Sequence, residues 1–213
     1  MSAGAIADDV AAVVQRGGTV IFPTDTVYGI GCEPTRADAV EKVFALKARP
    51  RDKPLSLHVA SVVELLEYAA GNALAARAAA AFLPGPLTLL VRRPAFVDPR
   101  VTSGRDTLGL RCPKHPLCSA ILERCGPLAG TSANYSGLPA YTGTVTATSL
   151  PLVDIRVEDG PTPVGVESTI IDVSADDLRL VREGAISVAM LEQTLGSVAR
   201  YTEAAPPKRN GEC

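Results

Sequence analysis

Apolar residues recur along the chain at two spacings, one typical of helices and the other of short buried strands. The stretch 6–16 has apolar residues at helical spacing and stops at Gly17-Gly18, a common end for a helix. Thr19–Phe22 is an apolar run ended by Pro23, as expected of a buried strand, and Thr24–Gly31 reads as a polar, glycine-bearing turn. The same reasoning predicts helices at Ala37–Lys47, Val62–Ala69, Ala73–Leu83 and His115–Arg124, and one from an N-cap at Ser187 to Leu195. It predicts strands at Leu55–Ala60, Leu87–Arg92, Leu108–Arg111, Leu128–Gly130, Ser168–Val173 and Leu178–Arg182.

The alternation of strands and helices continues through the chain without an internal repeat or a long linker. It therefore predicts an α/β fold and one domain over residues 1–201. Residues 202–213 have the composition of a tail, and we expect them to be disordered.

Composition excludes several classes of protein. Of 213 residues, 46% are hydrophobic and 21% are charged, which is typical of a globular protein with one substantial core. The net charge of −2 argues against strong non-specific binding of nucleic acid. Arg77 and Pro84 interrupt the longest apolar stretch, and the first residues lack a signal-peptide pattern, so we expect a cytoplasmic protein without a membrane span. The five cysteines form no C-x-x-C pair, which argues against a zinc site or a disulfide scaffold.

A basic cluster follows the second helix, in the sequence Lys47-Ala-Arg-Pro-Arg-Asp-Lys53. Lys47 continues the apolar stripe of that helix, so its ammonium is expected to be buried beside an anion. Pro50 forces Arg49 out of helical geometry. The cluster predicts an anion-binding site, and the alternative is a solvated basic turn.

Small polar residues follow a short strand at Gly130–Gly137, where an open α/β sheet often binds ligands. A plain connecting turn is the alternative for this stretch. Val166–Ile170 has hydroxyl residues at the start of a strand, which is more often structural. Taken alone, His58 reads as a core histidine and His115 as a residue that begins a helix.

These segments together resemble the YrdC family, the threonylcarbamoyl-adenylate synthases of tRNA modification. The matching stretches occur in the family's order and are FPTDTVYGIG (22–31), KARPRDKPL (47–55), LPGPLTLLV (83–91), LGLRCPKHP (108–116), GTSANYSG (130–137), VEST (166–169) and LVREG (180–184). The resemblance implies a YrdC/RibB-like twisted, mostly parallel sheet flanked by helices, with a basic concave cavity. It also implies nucleotidyl transfer, in which L-threonine, bicarbonate or CO2, and ATP yield threonylcarbamoyl-AMP and pyrophosphate. A separate transferase complex would then modify tRNA.

The resemblance assigns residues to roles position by position. ATP would be bound by Arg49, Lys53, Thr107, Ser132, Ala140 and Arg182. Threonine would be bound by Thr26, His58, Arg111, Gly130 and Ser168. The catalytic group would be Lys47, Arg49, Ser132 and Asn134. Mg²⁺ is expected to arrive on the ATP phosphates, without a protein metal site or a tightly bound cofactor, and contact with tRNA is expected to be weak or indirect.

Two departures from the family and two alternatives stand beside this interpretation. Thr131 stands where many relatives have proline. Because the sequence ends soon after the last predicted helix, we expect the short form of the family, without the second domain of its longer form. One alternative is a non-catalytic relative that holds RNA in the basic cavity. The other is a carbamoyl-transfer module like the hydrogenase-maturation factor, whose zinc-type cysteine pairs are absent from this sequence.

Overall fold

A computed structural model describes residues 1–144, 150–175 and 177–200. The helices are α1 (Ala3–Gln15), α2 (Ala37–Lys47), α3 (Val62–Tyr68), α4 (Ala73–Phe82), α5 (Pro116–Cys125) and α6 (Val188–Leu195). The strands are β1 (Val20–Phe22), β2 (Gly29–Cys32), β3 (Ser56–His58), β4 (Leu87–Arg92), β5 (Thr107–Arg111), β6 (Leu128–Ser132), β7 (Ile155–Arg156), β8 (Thr169–Asp172), β9 (Arg179–Arg182) and β10 (Ala199–Arg200). Every predicted helix and strand has a counterpart here, and the tail predicted for 202–213 lies outside the described residues.

The described strands form a single sheet in the order β10-β9-β8-β4-β5-β3-β6-β2-β1-β7. This large sheet with its flanking helices confirms the predicted α/β fold. In the described ranges the neighbouring strands form four parallel and five antiparallel pairs, so the pairing is more mixed than the resemblance implied. Short connections such as those between β1 and β2 and between β8 and β9 favour antiparallel neighbours, because a parallel pair needs a long crossover.

Helices cover both faces of the sheet. Along β1, Val20 and Phe22 belong to one apolar cluster with α1 and α5, whereas Ile21 belongs to the larger cluster on the other side. Successive side chains of a strand point to opposite faces, so these two clusters are the two layers of the core. In the described part of the chain, no helix combines the length and apolar composition needed to cross a bilayer.

Strand β2 lies inside the stretch that the sequence pattern predicted as a turn, and that prediction is wrong for its second half. Gly29 and Gly31 pair with both β1 and β6. A Cβ at Gly29 would lie 2.7 Å from the Phe22 ring, so the aromatic ring occupies the space that a side chain would need. The apolar surface of β2 is thus supplied partly by its neighbour, which no local pattern reveals.

Helix ends agree with local sequence signals. Ser187 caps α6 by accepting a hydrogen bond from the Met190 amide, as predicted. His115 caps α5 through Nδ1, which accepts from the Cys118 amide. Helix α2 ends at Ala48, which has a left-handed backbone with φ of 48°, and this sharp exit directs the basic cluster back toward the sheet.

Candidate active site

A cavity of about 290 Å³ lies across the middle of the sheet. Its floor is made of small residues in register on three strands, since Ser56 of β3 lies opposite both Gly109 of β5 and Gly130 of β6. A Cβ at Gly130 would lie 2.8 Å from the Ile30 carbonyl oxygen, so the backbone of β2 leaves no room for a side chain at this point of the floor. Gly130 and Leu128 lie on the same face of β6, and Leu128 packs under α5. The cavity therefore lies on the face of the sheet that α1 and α5 cover, beside these two helices.

The cavity wall is strongly basic. Its charged side chains among the described residues are five cations, Arg49, Lys53, Arg105, Arg111 and Arg182, and one carboxylate, Glu167. The Glu167 carboxylate is already paired with Arg182 at 2.7 Å. Arg111 is paired with the buried Asp25, so three cations, Arg49, Lys53 and Arg105, face the cavity without an ion pair among the described residues. Such a wall attracts a ligand with several negative charges.

Arg49 closes the loop that carries the basic cluster. Its Nε donates to the Lys53 carbonyl at 2.9 Å, and its Nη2 donates to the Pro54 carbonyl at 2.8 Å. Burial lowers the pKa of Arg49, and the nearby Glu167 opposes that change. Arg105 joins the same loop from the other side, because its Nη2 donates to the Asp52 carbonyl at 3.0 Å. Arg49, Lys53 and Arg105 are thus held around one loop at the cavity edge.

Lys47 is buried behind the loop that follows β6, with 1% of the residue exposed. Its ammonium donates to the carbonyl oxygens of Ser132 and Asn134 and to Asn134 Oδ1, the last at 3.0 Å. Burial, helped by the charge of Arg49, lowers the pKa of Lys47 to about 7. Among the described residues Lys47 forms no ion pair with the kind of anion that the sequence led us to expect. Three neutral oxygens accept its hydrogen bonds, and the charge of Glu167 opposes the fall in its pKa.

The Lys47 ammonium and the Ser132 hydroxyl meet at Asn134. Ser132 Oγ donates to Asn134 Oδ1 at 2.6 Å, and the amide nitrogen of Asn134 donates to the Leu138 carbonyl at 2.6 Å. The Lys47 carbonyl in turn accepts from the Ser136 amide. These bonds tie the end of α2 to the loop 132–138 and hold the Ser132 side chain at the cavity wall.

Arg111 enters the cavity as part of a buried ion pair. Its Nη2 donates to Asp25 Oδ1 at 2.7 Å, and its Nη1 donates to Thr26 Oγ1 at 2.9 Å. The side chains of Arg111 and Asp25 are only 8% and 5% exposed. His58 lies beside Arg111 in the strand register, and burial together with the charge of Arg111 lowers the pKa of His58 to about 3. The imidazole is therefore neutral near pH 7.

Two hydroxyl groups line the cavity on the side of β4 and β8. Thr88 Oγ1 and Ser168 Oγ lie 2.8 Å apart and are both buried. Arg182 Nη2 donates to the Ser168 carbonyl at 2.9 Å, which fixes the arginine at the cavity wall.

Ten of the thirteen residues singled out from the sequence line the cavity: Thr26, Arg49, Lys53, His58, Thr107, Arg111, Gly130, Ser132, Ser168 and Arg182. The other three, Lys47, Asn134 and Ala140, are not among its lining residues. Sequence reasoning missed Arg105, Glu167 and Thr88 as lining residues. Arg105 lies two positions before Thr107, so the alternation of side chains along a strand could have placed it on the same face.

The donor set of the cavity does not form a protein metal site. No group of three or more histidine, cysteine, aspartate or glutamate side chains among the described residues could hold a metal ion. The one carboxylate of the wall, Glu167, is engaged by Arg182.

Comparison with known proteins gives one family. Residues 12–184 match the family model Sua5_yciO_yrdC, described as telomere recombination. The chain is 37% identical over 195 residues to a Bacillus subtilis protein named threonylcarbamoyl-AMP synthase, covering 88% of this chain and 56% of that protein. It is 36% identical to a putative threonylcarbamoyl-AMP synthase of Mycobacterium leprae, covering 88% of this chain and 86% of the relative.

Solved structures agree with the sequence comparison. The crystal structure of Pyrococcus abyssi Sua5 complexed with L-threonine superposes with a TM-score of 0.87 at 33% identity, covering 93% of this chain and 59% of that one. The Escherichia coli YciO structure superposes with a TM-score of 0.76 at 25% identity, covering 87% and 92%. The chain thus spans somewhat more than half the length of the Bacillus and Pyrococcus relatives.

Proposed function

Because this chain belongs to the Sua5/YciO/YrdC family, we propose that it makes threonylcarbamoyl-AMP and pyrophosphate from L-threonine, bicarbonate or CO2, and ATP. The observation that carries the proposal is the composition of one cavity wall. A group of cations suited to phosphates and a buried arginine suited to a carboxylate line the same space. ATP and an amino acid bring these two kinds of anion together.

The reaction has two bond-forming steps. The neutral threonine amine adds to the carbon of bicarbonate or CO2 and gives a carbamate, and its nitrogen loses one proton. That proton leaves in water together with the hydroxide of bicarbonate, or passes to the solvent where CO2 is used. A carbamate oxygen then attacks the α-phosphorus of ATP, the bond between the α-phosphorus and the bridging oxygen breaks, and pyrophosphate leaves. Negative charge grows on the phosphate oxygens during displacement, and fixed cations stabilise it.

We assign phosphate binding to Arg49, Lys53 and Arg182, together with Arg105. Arg49 and Arg105 are held by backbone carbonyls of one loop, so their guanidinium groups lose little freedom when a phosphate arrives. Thr107, Ser132 and the Ala140 backbone complete the nucleotide set that the family pattern assigns. Removal of a preorganised cation should therefore weaken ATP binding and turnover together.

We assign threonine binding to Arg111 and to the residues around it, which are Thr26, His58, Ser168 and the Gly130 backbone. Two of the five N–H donors of Arg111 are committed to Asp25 and Thr26, and a third, on Nε, is buried without a partner among the described residues. The second N–H groups of Nη1 and Nη2 are left for a carboxylate. The neutral imidazole of His58 adds no second positive charge beside this guanidinium. The group is thus suited to an amino acid, whose carboxylate carries a single charge.

Lys47 and Asn134 act from behind the cavity wall in this proposal. Their hydrogen bonds hold Ser132 and its loop, so we assign them to positioning and not to contact with the reacting atoms. Mg²⁺ would enter with ATP and reduce the charge of its phosphates. A transferase complex in the cytoplasm would consume the product in tRNA modification, and this chain itself would contact tRNA weakly or not at all.

The test is pyrophosphate release by the purified full chain with Mg-ATP, and each of threonine and bicarbonate omitted in turn. We expect release only with the complete mixture, and mass spectrometry should detect threonylcarbamoyl-AMP. Pyrophosphate release that is unchanged without threonine would overturn the proposal. Tight RNA binding with no pyrophosphate release would favour the non-catalytic alternative instead.

A further inference from the structure

The segment 24–27 between β1 and β2 contains two buried polar side chains that face away from the cavity, Thr24 and Asp25. Thr24 is 1% exposed and Asp25 is 3% exposed, and neither is among the cavity-lining residues. Their neighbour Thr26 does line the cavity, as does Arg111. The buried pair is thus connected to the site through the two side chains that face a ligand.

The hydrogen bonds fix the direction of the Thr26 hydroxyl. Thr24 Oγ1 lies 2.6 Å from the Val27 carbonyl, and that oxygen can only accept, so Thr24 gives its one proton there. Thr24 and Thr26 hydroxyls lie 3.1 Å apart, and Thr26 must be the donor in this contact because the Thr24 proton is already used. Thr26 Oγ1 also accepts from Arg111 Nη1 at 2.9 Å.

Once its proton is committed to Thr24, Thr26 Oγ1 has only a lone pair left to offer. A hydroxyl has one proton and two lone pairs, and the first lone pair is taken by Arg111. The cavity therefore receives an acceptor from Thr26 and N–H donors from Arg111, side by side. This pairing matches an amino acid, whose ammonium or hydroxyl donates and whose carboxylate accepts.

Asp25 fixes Arg111 from the other direction. Its Oδ1 accepts from Arg111 Nη2 at 2.7 Å, in a pair that is almost fully buried. Charge-assisted bonds in such surroundings are strong and directional. The carboxylate also supplies a counter-charge, so the guanidinium can remain buried when no ligand is bound.

We propose that Thr24 and Asp25 are positioning residues that orient Thr26 and Arg111 for the amino-acid substrate. The assignment rests on the proposed function and deepens it, because it explains how one corner of the cavity recognises the donor and acceptor groups of an amino acid. Neither residue touches the substrate. Each acts through a hydrogen bond to a residue that does.

The experiment compares Thr24→Val and Asp25→Asn with two matched controls. Thr19→Val and Asp154→Asn make the same chemical changes at the hydrogen-bonded Thr19–Asp154 pair, which does not line the cavity. KM for threonine and KM for ATP are measured by pyrophosphate release, and folding is checked by thermal melts. We expect Thr24→Val and Asp25→Asn to raise KM for threonine about tenfold or more and KM for ATP less than about threefold. The controls should leave both values unchanged.

A double-substitution cycle tests the route of action. In an Arg111→Lys background, Asp25→Asn should raise KM for threonine by less than about threefold, because its effect passes through Arg111. Full multiplication of the two effects, equal rises for both substrates, or no change in KM for threonine would overturn the assignment. Thr24→Val is nearly isosteric, so it decides the matter if Asp25→Asn does not fold. If the wild-type chain neither binds threonine nor releases pyrophosphate, the proposed function fails first and this assignment with it.

Discussion

Arg49 offers a sharp test of the phosphate-binding wall, because the structure gives it two separable tasks. Its guanidinium closes the loop 49–54 through the Lys53 and Pro54 carbonyls, and it also faces the cavity. Lys53 faces the same cavity but is exposed, and its side chain makes no hydrogen bond or ion pair within the described residues. Replacing each by alanine should therefore give two different results.

The expected magnitudes follow from these contacts. A hydrogen bond to a charged group contributes roughly 1.5–3 kcal/mol, and partial exposure reduces this, so Arg49→Ala should cost about 1–3 kcal/mol of stability. In a domain of this size each kcal/mol corresponds to about 2–4 °C, so Tm should fall by about 2–12 °C. Loss of a phosphate contact should lower ATP affinity by about one to two decades in either variant.

The assay is a thermal melt of each variant with and without Mg-ATP, paired with pyrophosphate release. Arg51→Ala is the matched control, because Arg51 belongs to the same loop but pairs with Glu41 and lies over the Phe44 ring, away from the cavity wall. We expect Lys53→Ala to keep the wild-type Tm and to lose most of the stabilisation that ATP provides. Arg49→Ala should have a lower Tm and should also lose most of the stabilisation by ATP. Arg51→Ala should keep the full rise in Tm that ATP causes.

Two outcomes would refute this reasoning. If Arg49→Ala and Lys53→Ala keep the full ATP-induced rise in Tm and wild-type turnover, the cluster is a solvated basic turn. If Arg51→Ala lowers ATP affinity as much as Lys53→Ala does, the effect comes from net charge and not from the geometry of the wall.

Three further predictions concern residues around this wall. Lys47→Met should lower Tm and slow pyrophosphate release, since it removes the donor to the part-buried Asn134 carbonyl, at a cost of about 1–3 kcal/mol, and leaves the Ser132 carbonyl with only the Asn134 amide. A Tm equal to that of the wild type would contradict this. His58 has a pKa of about 3 when folded and an ordinary value of 6.5 when unfolded, so its contribution to stability is complete above pH 6.5 and is lost as pH falls toward 3. Urea titrations at several pH values give the free energy of unfolding as a function of pH. The slope of this free energy against pH should be smaller in His58→Gln than in the wild type, by up to about 1.4 kcal/mol per pH unit. Identical slopes would rule the explanation out. Arg105→Ala should raise KM for ATP while KM for threonine stays constant. Steady-state kinetics with each substrate varied in turn measures both values, and an equal rise in the two KM values would show that the assignment is wrong.

The local sequence determined the helices, most strands and the composition of the basic cluster. Ser187 and His115 could be identified as helix starts because a cap depends on residues three positions away. Ten of the residues that the family resemblance assigns to binding or catalysis line the cavity, and their roles there remain predictions.

Only the tertiary structure decided which side chains meet. Asp25 and Arg111 are 86 positions apart, and Lys47 and Ser132 are 85 apart, so no periodicity in either segment could reveal these bonds. Gly29 and Gly31 read as turn residues until the Phe22 ring is placed against them. Hydrogen-bond partners, counter-charges and strand neighbours are chosen through space, because burial forces each polar group to find a partner wherever the packed chain brings one within reach.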